Sequence, residues 1–205
     1  MDKIYRKGDG KIIALHKISA EFIKKELSLV VGPSGSGKST LMRIIGLLES
    51  PSSGTLIFNG TDIKNIPEEK RLYFIRNEIG FVPPYPNLLD YLTLLENVML
   101  PMNVKDQTLA IETLKKLGVD DIHSYPQELS TEFQLIASIA RAIINKPKLI
   151  LIDEPTFKLS KSSSANVMEL IKSLKQKFSI ITFTDDINLS KYSDTDFNLN
   201  NGILE

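Results

Sequence analysis

The chain has no cysteine. Disulfides and thiolate-bound metal sites are therefore excluded. It has only two histidines, His16 and His123. They lie too far apart in sequence to suggest a metal cluster, and each reads as an ordinary polar side chain. Charge of one sign is not in excess either: 25 Lys and Arg balance 25 Asp and Glu, for a formal net charge of 0. No global electrostatic attraction to nucleic acid is present, so no nucleic acid partner is expected. Long hydrophobic runs are also missing. Patches such as LILI are strand-sized, well short of the roughly 20 apolar residues a membrane-crossing helix needs. The opening residues, MDKIYRKGDG, have no apolar core of the signal-peptide kind. Any connection to a membrane is expected to come through a partner.

What is present suits a soluble globular domain. The 205 residues are 42% hydrophobic and 24% charged, enough to build one substantial core. The stretch KIIALHKISAEFIKKELSLVV reads as short strands ending in a buried one, Leu27 to Val31. A helix is expected over STLMRIIGLLES, stopping near Pro51. Thr55 to Phe58 reads as a strand closed by the Asn59-Gly60 turn. A short helix over Glu69 to Arg76 and a strand over Ile79 to Val82 follow. Pro83, Pro84 and Pro86 then enforce irregular, extended backbone.

The middle of the chain is expected to be helical. DQTLAIETLKKLG places Ala110, Leu114 and Leu117 on one face, with Gly118 as a cap. Thr131 to Asn145 reads as a helix with Phe133, Ile136, Ala137, Ala140 and Ile144 inward. Lys148 to Ile152 is a buried strand. Ser160 caps a helix to about Lys177, with Val167, Leu170, Ile171 and Leu174 inward. Phe178 to Phe183 is a further strand, and the tail forms a hairpin at Asn201-Gly202. Alternating strands and helices imply an α/β sheet covered by helices. Residues 1–205 read as one domain, with a helical subdomain, about 84 to 145, inserted in it.

Two motifs carry chemistry. GPSGSGKST comprises Gly32, Pro33, Ser34, Gly35, Ser36, Gly37, Lys38, Ser39 and Thr40, and matches G-x-x-x-x-G-K-S/T completely. It sits between a buried strand and a helix, as a phosphate-binding loop requires. Backbone N–H groups and the helix N-terminus can face negative charge. Lys38 can reach the β- and γ-phosphates of a nucleotide, and Ser39 can ligate Mg²⁺. The second motif, ILIDEPT, ends a buried strand with Asp153 and Glu154. Asp153 is placed to hold Mg²⁺ through water. Glu154 is placed to polarise an attacking water.

Together these segments resemble the nucleotide-binding subunit of ABC transporters, in particular the branch of lipoprotein-release and macrolide-efflux ATPases. YRKGDGKIIALHKISAEF, GPSGSGKSTLMRIIGLLESPSSGTLIFNG, IGFV, NLLDYLTLLENVMLP and LILIDEPT carry the likeness, which spans nearly the whole chain. The resemblance implies a P-loop NTPase core with an ABC-type antiparallel β region and an inserted helical subdomain. It implies ATP and Mg²⁺ as ligands and ATP hydrolysis as the reaction, with Lys38 and Glu154 catalytic. Tyr5 matches the aromatic that stacks on adenine. The implied partners are an integral-membrane permease and a second ATPase subunit, in a homodimer or heterodimer. The implied location is cytoplasmic, on the inner face of the membrane.

The sequence departs from that family at chemically important places. The signature reads LSTEFQ where the family shows LSGGQQ, so Thr131 and Glu132 replace glycines. A carboxylate directed at a phosphate bound by the opposite subunit repels it. Pro84 stands where the family has Gln, Asp185 where it has His, and Ser160 where it has Asp. An ionised Asp accepts hydrogen bonds but donates none. The departures imply slow or partner-dependent hydrolysis. A nucleotide-binding subunit without turnover, paired with an intact partner, is the alternative. A soluble ABC protein of DNA repair or translation fits poorly, because the chain has no long coiled-coil insertion and no basic excess.

Overall fold

The computed structural model describes residues 1–8 and 10–205. Its strands are β1 (Lys3–Lys7), β2 (Gly10–Leu15), β3 (Leu27–Val31), β4 (Ile57–Phe58), β5 (Thr61–Asp62), β6 (Ile79–Val82), β7 (Leu149–Asp153), β8 (Ser179–Thr184), β9 (Thr195–Asn200) and β10 (Ile203–Leu204). Its α-helices are α1 (Lys38–Ile45), α2 (Glu68–Asn77), α3 (Leu94–Met99), α4 (Gln107–Lys116), α5 (Thr131–Ile143) and α6 (Lys161–Leu174).

The main sheet runs β10-β9-β3-β8-β7-β6, parallel from β9 to β6, with β10 as an antiparallel edge. Two antiparallel ribbons, β1-β2 and β4-β5, stand beside it. The central strands are apolar on both faces because helices cover both. Leu27, Leu29, Ile150, Ile152 and Ile180 face a core built with α3 to α6. Val30, Leu151, Ile181 and Phe183 face the opposite core, which includes Leu41 and Ile44 of α1 and Phe74 of α2.

Strand β3 and strand β6 have the boundaries the sequence predicts. Asn59 and Gly60, with φ of 47° and 78°, make the β4-β5 turn, and Asn201 and Gly202, at 48° and 77°, make the β9-β10 turn. Both pairs have the positive φ that two-residue hairpin turns require. Asp106 caps α4 and Ser160 caps α6.

Other expectations shift. Helix α1 stops at Ile45, well before Pro51. Leu47 turns left-handed at φ 61°. Leu48 N–H then reaches back to Arg43 O at 2.8 Å and Leu47 N–H to Ile44 O at 3.0 Å. That pair of bonds is a Schellman stop, closed here by leucine instead of the usual glycine. Strand β4 shrinks to Ile57–Phe58. Helix α5 ends at Ile143, and its Phe133, expected inward, is 39% exposed. Helix α3 is a further element, started by a Thr93–Glu96 capping box.

Candidate nucleotide site

The phosphate loop leaves β3 at Val31 and is tied to two other strands at once. Gly32 N–H donates to Thr184 O on β8 at 3.1 Å. A Cβ on Gly32 would lie 2.1 Å from Leu199 O on β9. Gly37 precedes α1 with φ 109°, where a Cβ would meet Ala14 O at 2.7 Å and Leu15 Cδ2 at 2.9 Å. Both the conformation and the crowding therefore demand glycine at this turn. Pro33, Ser34 and Gly35 are exposed, Gly37 is half-buried and Thr40 is buried. The Ser36 hydroxyl is buried and has no partner among the described residues.

Lys38 begins α1 and is only 8% exposed. Its ammonium donates to Gly32 O at 2.6 Å and Pro33 O at 3.3 Å. It also lies 3.7 Å from Glu154 Oε1. The loop's lysine and the strand-end glutamate, far apart in sequence, therefore converge. The buried ammonium is held by carbonyls of its own loop, with an acidic partner beside it.

Glu154 follows β7 in a left-handed conformation, φ 46°. Its own N–H donates to Phe183 O at 2.8 Å. Its Oε2 accepts the Thr184 hydroxyl at 3.0 Å and Asp185 N–H at 3.4 Å. Burial pushes its pKa above the ordinary glutamate value. The Thr184 hydrogen bond opposes that rise, the nearby Asp185 charge adds to it, and Lys38 opposes it. Asp153 is likewise pushed up by burial and pulled down by Lys38. Asp153 and the exposed Ser39 hydroxyl are hard oxygen donors of the kind magnesium takes alongside phosphate oxygens and water. Among the described residues no cluster of three acidic or histidine side chains could hold a cation by itself.

The remaining candidates are placed differently. Tyr5 is half-buried, and its hydroxyl donates to Glu49 Oε2 at 2.6 Å and accepts from Arg43 at 3.3 Å. The Lys3 ammonium lies 5.0 Å from its ring centroid. In the proline loop, Tyr85 packs edge-on against Phe157 with centroids 5.4 Å apart, just beyond the Glu154 turn. In the signature segment, Ser130 caps α5 and Gln134 Nε2 donates to Leu129 O at 3.0 Å. Glu132 Oε1 accepts from Asn166 Nδ2 of α6 at 3.2 Å. Asp185 is exposed, and its contact with Glu154 is made by its main chain.

Sequence reasoning missed two residues. Thr184 touches both the phosphate loop and Glu154. A hydroxyl closing a buried strand just before Asp185 and Asp186 is the available signal. Arg141 of α5 donates to Pro86 O and Asn87 O, each at 2.7 Å, and so holds the proline loop. Its signal is the single basic residue in a largely apolar helix.

Comparison with known proteins agrees with this geometry. A family model described as ABC transporter matches residues 15–157. The chain is 38% identical over 208 residues to an uncharacterized ABC transporter ATP-binding protein of Methanocaldococcus jannaschii, covering 98% of this chain and 93% of that one. It is 36% identical over 214 residues to the lipoprotein-releasing system ATP-binding protein of Shewanella oneidensis, covering 100% and 93%. It is also similar to a solved dimeric ATP-binding cassette in a post-hydrolysis state bound to ADP and Pi. There the TM-score is 0.89 and the identity 31%, over 100% of this chain and 94% of that one.

Proposed function

The chain belongs to the ABC transporter family, and on that premise we propose how its residues divide the work. It is an ATP-binding subunit of an ABC transporter and an ATPase of that class. Residues Gly32 to Thr40 cradle the triphosphate through backbone N–H groups and the start of α1. Lys38 leaves its resting carbonyls for the β- and γ-phosphate oxygens. Ser39 and Asp153 would hold Mg²⁺, which supplies charge neutralisation at the phosphates. Glu154 orients a water and takes its proton as the water oxygen attacks the γ-phosphorus. The bond to the leaving ADP oxygen then breaks, giving ADP and phosphate. The observation that carries this reading is the 3.7 Å approach of Lys38 Nζ to Glu154 Oε1.

Tyr5 is the platform for the adenine ring, and residues about 84 to 145 are the helical subdomain. The partners are a second ATPase subunit, as the similarity to a dimeric cassette supports, and an integral-membrane permease. Among the described residues no helix is long and apolar enough to cross a membrane. We place the chain on the cytoplasmic face, held there by its permease. Thr131, Glu132, Pro84 and Asp185 make turnover slow or dependent on a partner with an intact signature. Loss of one positioned electrostatic donor to a transition state costs about 10²–10³-fold.

The test is steady-state Mg-ATP hydrolysis by the purified chain, beside Lys38→Ala and Glu154→Gln. Turnover that both substitutions abolish supports the assigned roles. Turnover untouched by either would sink them. Nucleotide binding without turnover, restored by adding a second cassette subunit, would place catalysis in a composite dimer.

A further inference from the structure

Thr184 is the last residue of β8, between β3 and β7, and is completely buried. Three bonds define its position. Its carbonyl accepts Gly32 N–H from the phosphate loop at 3.1 Å. Its hydroxyl oxygen accepts Asp186 N–H at 3.1 Å. The same hydroxyl lies 3.0 Å from Glu154 Oε2. Asp186 N–H can only donate, so the hydroxyl proton is left free to point at the carboxylate.

We infer that Thr184 positions Glu154 for hydrolysis, by binding Oε2 and leaving Oε1 as the oxygen that faces Lys38. The inference rests on the proposed role of Glu154 as base. Asp185 N–H, 3.4 Å from the same Oε2, is a second and weaker tether. Glu154 is set in a strained left-handed turn with a half-buried side chain. Without the hydroxyl its carboxylate is free to rotate toward solvent. In this chain Asp185 offers no side-chain donor toward the base, so Thr184 supplies the only side-chain hydroxyl bond Glu154 receives among the described residues.

Thr182 is the internal control. It lies two residues earlier on β8 and is equally buried, and its hydroxyl has no partner among the described residues. Replacing either threonine by valine keeps shape and β preference and removes one hydroxyl. Only at 184 does that hydroxyl touch the site.

The experiment compares Thr184→Val, Thr184→Ser, Thr182→Val and Glu154→Gln. Readouts are kcat and KM for Mg-ATP, nucleotide affinity, melting temperature, and the Glu154 carboxyl ¹³C resonance at one fixed pH, identified by its loss in Glu154→Gln. Thr184→Val is expected to lower kcat about tenfold or more while KM and affinity change little. Its Glu154 resonance moves. Thr184→Ser stays near the parent in both, and Thr182→Val changes neither. An unmoved Glu154 resonance in Thr184→Val overturns the inference, whatever the turnover. So does equal loss in the serine and valine variants that tracks melting temperature, since that is a purely structural role. Undiminished hydrolysis by Glu154→Gln refutes the base assignment separately, and the resonance still reports whether Thr184 orients the carboxylate.

Discussion

Asn166 of α6 donates its side-chain amide to Glu132 Oε1 of α5 across 3.2 Å. The acidic residue of the signature segment is thus tethered to the neighbouring helix. Its charge also sits in the first turn of α5, where it favours the helix by about 0.3–1 kcal/mol. On the proposed function, stability and turnover pull in opposite directions here. A carboxylate that suits the helix N-terminus is a poor neighbour for a phosphate.

Replacing Thr131 and Glu132 together by glycine should therefore raise ATP turnover at least tenfold and lower stability. Glycine costs up to about 1 kcal/mol relative to alanine in a helix interior and less than that here in the first turn, and the Asn166 bond is lost as well. Steady-state hydrolysis and thermal melting on the same sample check both halves. Lower stability with no gain in turnover would show that the signature is not what limits the enzyme.

Gly37→Ala should abolish ATP binding and destabilise the fold by about 2 kcal/mol or more. It meets both a φ of 109° and backbone at 2.7 Å. Gly35→Ala has open space around the new methyl despite its φ of 80°, so only the left-handed backbone penalty of about 1 kcal/mol is expected there. Nucleotide titration and denaturant melts of the two variants provide the comparison. Equal damage at both positions would mean that crowding against Ala14 does not matter.

Tyr5 separates packing from recognition. Tyr5→Phe loses the hydroxyl bonds to Glu49 and Arg43, worth about 1 kcal/mol of stability, and should leave ATP affinity intact. Tyr5→Ala should weaken ATP binding, because a base stacked on an aromatic ring contributes about 1–3 kcal/mol. Equal loss of affinity in both variants would count against stacking. Fluorescent-nucleotide titrations suffice.

Asp194 sets part of the acid stability. It receives the Lys175 ammonium, and its Oδ2 accepts Leu27 N–H at 2.9 Å, tying α6 and β3 to the start of β9. The Lys175 hydrogen bond is the larger cause holding its carboxyl below the usual aspartate range, and the Leu27 bond is the next. A depressed carboxylate stabilises the fold fully above the unfolded pKa of about 3.9, and the contribution is lost as pH falls through the lower folded value. Asp194→Asn should lower the melting temperature at pH 7 and narrow the gap from the parent as the pH drops below 4. A gap that stays constant down to low pH would remove the ion pair as its cause.

The placement of GPSGSGKST between strand and helix, and of Asp153-Glu154 at a strand end, was legible in the sequence because such a loop is a local device. Its glycines, lysine and hydroxyls are contiguous, and the flanking apolar runs place it between strand and helix. The same holds for the Asn59-Gly60 and Asn201-Gly202 turns, where two adjacent residues satisfy the backbone requirement. The tertiary structure alone decided what meets across the sheet. Strand order brings β8 between β3 and β7, and only then can Thr184 touch Gly32 and Glu154 together. Arg141 reads as an interruption in an apolar helix until the proline loop folds over it. Phe133 follows the helical period yet remains 39% exposed, because periodicity assigns a face to a residue but not a neighbour to cover it.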